Sequence, residues 1–172
     1  EVLTGRGPEL FDRVIVATHS DQALGMLADT SKEEREILGA IGYQRNIATL
    51  HTDERMLPRN PRARASWNYA IAENARGTTV TYWMNRLQSI ETRRPLLVTL
   101  NRPDEIDARV RIAEFEYDHP VFDVPAMAAQ RRRAEIQGRR GIYFAGAYWG
   151  YGFHEDGVQS ALEVVRLLES RR

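Results

Sequence analysis

The stretch of this chain whose residue types can do chemistry is Gly146-Ala147-Tyr148-Trp149-Gly150-Tyr151-Gly152-Phe153-His154-Glu155-Asp156-Gly157. Glycines let backbone amides approach a ligand, aromatic rings offer flat apolar walls, and a helix start presents unpaired N–H groups with partial positive charge. A flat, electron-rich ring needs all three. Tyr148, Trp149, Tyr151 and Phe153 crowd a few positions with almost no branched aliphatics between them. Such a loop packs badly as ordinary core and reads as a ligand wall. Glu155 and Asp156 would repel a phosphate at the same helix start, so a polar, partly anionic ring edge fits better. A reduced flavin, with negative charge near its pyrimidine oxygen, meets that description.

The elements that must position this loop are legible on either side of it. Ile142 to Ala145 is a short apolar strand leading in. After the loop, Val158, Ala161, Leu162, Val165 and Leu168 recur at the spacing of one helix face, and Glu163, Arg166 and Glu169 fall elsewhere. Asp156 is the expected N-cap, with Gln159 placed to reach back in a variant of the capping box. Upstream, Val14 to Thr18 reads as a strand and Asp21 to Leu27 as a helix. Ser31 caps a second helix through Ile41, with Glu34 completing a capping box. The period then changes to two, and Tyr43 to Thr52, Ser66 to Ala72, Thr78 to Asn85, Leu96 to Asn101 and Arg109 to Tyr117 read as strands. Asn74-Ala75-Arg76-Gly77 would join the second to the third. Val124 to Ile136 is the helix leading back to the final strand, and Leu57 to Arg64 the expected mobile loop. The fold class is therefore mixed α/β (α+β), with a mostly antiparallel sheet covered on one face by helices.

Composition bounds the reading. A chain of 172 residues with 42% hydrophobic content can bury a genuine core. Its net charge of zero argues against a nucleic-acid or anionic-membrane surface. Lys32 is the only lysine among 24 basic residues. With no cysteine there are no disulfides, thiolates, zinc–cysteine sites or cysteinyl flavin within the chain, and a reducing, cytoplasmic setting is compatible. No apolar stretch approaches the about 18 residues of a membrane span. Arg131-Arg132-Arg133 with Arg139-Arg140 reads as a solvated face sooner than an anion patch. His154-Glu155-Asp156 and His51-x-Asp53 supply too few ligands for a metal, and no metal site is expected; local capping and hydrogen bonding explain them better. No Gly-x-Ser-x-Gly elbow is present.

The run YFAGAYWGYGFHEDGVQSALEVV resembles the C-terminal flavin-contacting segment of the flavin-containing amine oxidase superfamily, in particular its bacterial group of NAD/FAD-binding oxidoreductases. Asp12 to Thr18, His19 to Leu24, Asn46 to Asp53, Ser66 to Tyr69 and His119 to Phe122 resemble further landmarks of that group. The resemblance implies non-covalent FAD, with Gly146 and Ala147 against the cofactor, Phe153 near the flavin face and His154, Glu155 and Asp156 at the loop end. Gly157 and Val158 would supply amides to the pyrimidine edge. Ala147 and Asp156 depart from the usual pattern. Asn46, Trp67, Trp149 and Tyr151 are the candidates for the substrate cavity. Residues 1–30 would return to the FAD-binding domain, 31–120 would form the substrate-binding domain, and 121–172 would be the connecting helix and FAD-contacting strand, loop and helix.

The dinucleotide fingerprint Gly-x-Gly-x-x-Gly that opens such proteins does not occur: Gly5-Arg6-Gly7 is followed by Pro8 and has Leu10 in place of the third glycine. The chain is thus expected to be the C-terminal part of a longer FAD-dependent oxidoreductase, its partner half lying outside this sequence. Amine-oxidising members carry a lysine near the flavin, expected around Asn46 to Thr49, and none stands there. An apolar, small-molecule or lipid-like substrate is the expectation, with no catalytic base assigned. The alternative is a non-catalytic module binding a lipid or peptide on the same fold.

Overall fold

A computed structural model describes residues 1–71 and 79–170. In chain order the elements are β1 (Val2–Thr4), β2 (Gly7–Glu9), β3 (Val14–Val16), α1 (Ser20–Met26), α2 (Lys32–Leu38), β4 (Gly42–His51), β5 (Trp67–Ala70), β6 (Thr79–Trp83), α3 (Met84–Leu87), β7 (Leu97–Leu100), β8 (Arg111–Val121), α4 (Val124–Arg131), β9 (Ile142–Phe144) and α5 (His154–Glu169). They divide into two compact units, one of Glu1–Gln44 with His119–Arg172 and the other of Arg45–Asp118. The mixed α/β class read from the sequence is the class observed.

In the first unit β3 and β9 form a parallel pair, in register Val14 to Ile142, Ile15 to Tyr143 and Val16 to Phe144. One face of the pair meets helices through Phe144, packed with Ala23, Ile37, Leu38, Ala126, Ala129 and Ile136. The other face carries Tyr143 and Ala145 against Val164, Leu167 and Leu168 of α5. Each large apolar side chain fully buried in this way contributes roughly 1.5–3 kcal/mol. β1 and β2 make a separate hairpin at Gly5-Arg6, where the sequence shows an incomplete glycine motif.

α2 begins as its sequence predicts. Glu34 N–H donates to Ser31 Oγ at 3.1 Å and Ser31 N–H to the Glu34 carboxylate at 2.8 Å. Glu34 is almost wholly buried, and it also accepts from Arg140 at 2.5 and 2.8 Å. Arg140 keeps nearly half its side chain in water, so this pair is worth less than a fully buried one. Glu34→Ala is expected to lower stability by about 2 kcal/mol, because a cap and a charge partner go together. Urea unfolding checks this; a loss under about 0.5 kcal/mol would show that water replaces the carboxylate fully.

The second unit is a five-stranded antiparallel sheet in the order β5-β6-β7-β4-β8. Asn68 pairs with Thr81, Thr81 with Thr99 and Thr99 with Thr49, so one face carries a row of polar residues across four strands. Thr49 Oγ1 then donates to Glu114 on β8 at 3.4 Å, carrying the row to the fifth. The opposite face is apolar and aromatic: Trp67 faces Tyr82, Tyr69 faces Val80, and Val98 and Leu50 continue the surface.

Several boundaries differ from the sequence reading. The strand expected to reach Asn85 gives way after Trp83 to the single turn α3, and α4 stops at Arg131 before a 3-10 turn at Arg133–Glu135. Leu57 to Arg64, expected to be mobile, is pinned: Leu57 is buried and Arg64 holds the Pro58 carbonyl and the Glu54 carboxylate. The junction Asn74 to Gly77 lies outside the described residues. Four of the five arginines of the arginine-rich stretch are paired, Arg132 with Glu36 and Glu135, Arg133 with Glu163, Arg139 with Glu33 and Arg140 with Glu34.

The largest correction concerns α5. Of the stripe read from the sequence, Val158, Leu162 and Val165 are exposed and only Leu168 packs on the core, while the buried side is Ser160 and Val164 with Leu167 and Leu168. Helical spacing identifies a stripe but not what covers it, and Ser160 is buried because its hydroxyl is spent on backbone. Among the described residues no helix is long and apolar enough to cross a membrane.

Candidate functional site

The two parallel strands end side by side, Ala145 N–H donating to the Val16 carbonyl at 3.0 Å. In α/β sheets ligands bind beyond the carboxyl ends of parallel strands, and the glycine-aromatic loop starts at that level. Gly146 N–H donates to Ser160 Oγ at 2.9 Å, and Ser160 passes its own proton to the Gly157 carbonyl at 2.8 Å. Ser160 therefore ties the first residue of the loop to the first turn of α5. From the other side Gln130 of α4 donates to the carbonyls of Tyr148 at 2.9 Å and Gly150 at 2.6 Å. Neither residue was expected from sequence, since an isolated Gln or Ser on a helix carries no periodic signal.

Asp156 does not cap the helix from the expected place. α5 begins at His154 with Phe153 as its N-cap, which puts Asp156 in the third helical position. From there one carboxylate oxygen accepts the N–H groups of both Tyr151 and Phe153 at 2.9 Å. The acid works as the reaching-back half of a capping box whose forward half is missing. Gln159 instead donates to Glu155 at 2.6 Å. The same placement explains Gly150, because a Cβ there would stand 2.4 Å from the Asp156 carboxylate.

The aromatic residues divide. Tyr148 and Trp149 are buried in the core of the first unit, their rings 4.8 Å apart, and the Trp149 indole donates to the Phe144 carbonyl at 3.2 Å. Trp149, a candidate for the substrate cavity, is thus a core residue, for burial of its apolar ring with a satisfied N–H outweighs exposure. Gly146 serves the same packing: a Cβ there would lie 2.3 Å from the Tyr148 ring. The Tyr148 hydroxyl is buried without a partner among the described residues, and burial pushes its ionisation well above the usual tyrosine range. Tyr151 and Phe153 turn outward, 64% and 60% exposed, with Tyr151 edge-on to Phe122 at 6.2 Å. The flat walls the loop offers are therefore Tyr151 and Phe153.

The amides also shift. Gly157 N–H is spent on the Phe153 carbonyl at 3.3 Å, and Val158 lies within the helix ladder. The N–H groups of His154 and Glu155, in the first turn, have no acceptor within a helix. They stand next to Phe153, so a ring with an electron-rich edge finds donors and an apolar face together. Ala147 lies beside Gly157, where a Cβ would make ordinary contact with the Ala147 nitrogen at 3.8 Å. This donor set, beside the outward ring of Phe153, fits an aromatic group with polar edges. Among the described residues no cluster of three metal-ligating side chains occurs.

In the second unit Trp67 is half exposed beside Tyr82, ring centroids 6.3 Å apart, on the aromatic face with Tyr69. Asn46 accepts from Asn101 Nδ2 at 2.7 Å, and Asn101 Oδ1 in turn accepts from Ile47 N–H at 2.9 Å. On the polar face His51 is fully buried. Its Nδ1 accepts from Asp53 N–H at 3.0 Å, which assigns the proton to Nε2, 2.8 Å from Thr99 Oγ1. Asp53 is held well below the usual carboxylate range by its hydrogen bonds to Arg55, and Asp107 near about 2 by those from Arg109. Both acids are thus structural, and neither is placed to exchange protons near neutrality.

The chain is thus a parallel strand pair with helices, interrupted in sequence by an antiparallel sheet. Two solved structures share this arrangement. One, from Exiguobacterium sp. 255-15 and described as a candidate protoporphyrinogen oxidase, matches over 98% of this chain with TM-score 0.63 and 16% identity. The other, a CLA-producing fatty acid isomerase from P. acnes, matches over 90% with TM-score 0.54 and 18% identity. The chain spans 43% of the first and 41% of the second. No protein-family model and no curated protein sequence matches it.

Proposed function

We propose that this chain is the C-terminal part of an FAD-dependent oxidoreductase that takes a hydride from an apolar substrate. The observation that carries the reading is the pair of parallel strands ending at a loop with free helix amides and outward rings. On this reading residues 1–30 and 121–172 belong to the FAD-binding domain and 31–120 to the substrate-binding domain. A flavin held there would supply the redox chemistry, as hydride acceptor. The chain's own residues do the holding: His154 and Glu155 offer backbone N–H groups to the pyrimidine edge, Phe153 covers a ring face, and Asp156 keeps the loop in shape. Gly146, Ala147, Gly157 and Val158 form the floor beneath it, and at Gly146 the Tyr148 ring leaves no room for a larger side chain. Tyr151 and Trp67 are the aromatic contacts proposed for the substrate.

The apolar substrate is favoured by the aromatic face of the sheet, with Trp67, Tyr69, Tyr82, Val80 and Val98 and no charged side chain among them. The two similar structures are named for protoporphyrinogen and for a fatty acid, which suits a mainly apolar compound. The rival reading, a non-catalytic lipid- or peptide-binding module, keeps this face and dispenses with the flavin. The complete gene product, purified and dialysed with FAD, is expected to show flavin absorption at about 370 and 450 nm. A colourless protein would reject the flavoenzyme and leave the binding module.

A further inference from the structure

Charge is unevenly spread in the second unit. Residues 53–64 and 86–94 together hold seven arginines and three acids, although the whole chain is neutral. A zero balance argues against an anionic partner only where charge is evenly spread. Both segments lie in connections at the same end of the antiparallel sheet, since β4 ends at His51, β5 starts at Trp67, β6 ends at Trp83 and β7 starts at Leu97. They are tied together there, Arg86 Nη1 donating to the Arg64 carbonyl at 2.6 Å and Trp83 N–H to the Ser66 carbonyl at 2.8 Å. Asn85 gives the second connection its shape. Its amide donates to the Ile90 carbonyl at 2.9 Å and the Thr92 hydroxyl at 2.7 Å, and its oxygen accepts Leu96 N–H at 2.6 Å.

Three of the seven arginines are spent locally. Arg55 pairs with Asp53, Arg64 with Glu54, and the Arg86 guanidinium stands 5.4 Å from the Trp83 ring centroid. Arg59, Arg62, Arg93 and Arg94 are exposed, and among the described residues none has an acidic partner. Glu91 is likewise unpaired among them, so four open cations stand against one open anion. Arg64 and Glu54 form the wall between two shallow hollows of about 480 and 470 Å³, with Arg93 and Arg94 on one side and Arg59 on the other. Apolar side chains border the same end. Trp67 and Tyr69 on β5, an edge strand, and Ile71 just beyond it alternate onto one face, and each is more than half exposed. Leu87, next to Arg86, is also exposed. Trp67 is three residues from Arg64, roughly 10 Å of extended chain.

We propose that this end of the second unit docks on the surface of an anionic lipid bilayer, its four open arginines at lipid phosphates and the β5 edge with Leu87 in the boundary beneath them. The side-chain types match the layers of such a surface. Arginine reaches phosphate while its stem covers apolar surface, tryptophan and tyrosine settle at headgroup level, and isoleucine and leucine enter the acyl boundary. A neutral apolar partner would bury four cations without counter-charge. A single-stranded nucleic acid would supply the charge, but Ile71 and Leu87 offer no flat face on which a base can stack. Among the described residues no helix is long and apolar enough to span a membrane, so these residues would attach peripherally. An apolar substrate that partitions into lipid would reach Trp67 from this same surface, in keeping with the contact proposed for it.

The test is co-sedimentation of the complete gene product, without added flavin, with vesicles of phosphatidylcholine containing about one third phosphatidylglycerol. Binding is expected to be at least about tenfold tighter than to pure phosphatidylcholine, and to weaken as salt rises from about 0.1 to 1 M and the screening length falls from about 10 to 3 Å. Each basic residue at an anionic surface is worth about fivefold in partitioning, so the double variant Arg93→Ala, Arg94→Ala is expected to bind about twentyfold more weakly. Arg131→Ala with Arg166→Ala removes the same charge from exposed positions of the first unit and is expected to change binding less than about twofold. No binding, equal binding to neutral vesicles, or equal loss in the two double variants would overturn the proposal. Capture of a single-stranded oligonucleotide in place of the vesicles would overturn it in favour of a nucleic-acid surface. Because binding is read without flavin, a colourless protein that binds keeps the docking surface and loses only the oxidoreductase, and a flavin-bearing protein that does not bind loses only the docking surface.

Discussion

If the complete protein binds FAD as proposed, Asp156→Ala is expected to weaken that binding about 100-fold. The carboxylate takes the N–H groups of Tyr151 and Phe153 on one oxygen at 2.9 Å each, and no other group of the loop faces them. Hydrogen bonds to a charged acceptor are worth about 1.5–3 kcal/mol each, so losing two partly exposed ones costs about 3 kcal/mol in loop order. That energy appears in binding, because the loop must take one shape before Phe153 and the amides of His154 and Glu155 can meet a ring together. Asp156→Asn keeps an acceptor oxygen and is expected to lose about tenfold. Quenching of flavin fluorescence on titration gives both values. A change under threefold for Asp156→Ala would mean that Gln130 and Ser160 alone fix the loop.

How far the sequence reached is clearest at this loop. The strand, the loop and the helix were legible because apolar runs, glycines and a period near 3.6 are local signals. So was the capping box of Ser31 and Glu34, whose two partners sit three residues apart. The inner or outer direction of each aromatic ring was not legible. Tyr148 and Trp149 turn inward because Ser160 and Gln130, distant in sequence, tie down the backbone around them. The burial of α5 on Val164 and not Leu162 has the same origin. A helix with apolar residues on two sides has two candidate faces, and the sheet beside it chose one. Asp156 was read as an N-cap because acids favour that place; its partners Tyr151 and Phe153 put it a turn further in.

The exposed stripe of α5 and the outward rings of Tyr151 and Phe153 both belong to the first unit and both lack covering. The second unit also exposes apolar side chains, Trp67 and Tyr69 among them, but its polar face is satisfied internally, by hydroxyls and an imidazole. Apolar surface left open marks places where something binds. Buried polar groups that satisfy each other mark a core whose geometry is specified. The candidate chemistry therefore lies with the first unit and the aromatic face of the second, and the hydroxyl row is a structural device.

That device carries the second large effect. His51→Ala is expected to cost the second unit about 3 kcal/mol, the sum of a cavity in the sheet face and two orphaned partners, Asp53 N–H and the Thr99 hydroxyl. Loss of the Nε2–H donor to Thr99 propagates, since Thr99 Oγ1 is also 2.9 Å from Thr81 Oγ1. Acidity should act on the same residue. Burial lowers the His51 pKa below its ordinary value, so the folded state resists a proton that the unfolded chain accepts near pH 6.5. At pH 8 both states are neutral and the imidazole imposes no pH dependence. As the pH falls through the unfolded value the unfolded state gains the proton first, and stability declines by up to about 1.4 kcal/mol per unit until the folded pKa is reached. Asp53 and Asp107 act in a separate window: their depressed values preserve stability above the ordinary carboxylate range and lose it only at lower pH. The expected result is a urea midpoint that falls between pH 7 and pH 5 in the unaltered protein and stays level over that interval in His51→Gln. Parallel curves for the two proteins would show that His51 takes up its proton while the sheet remains folded.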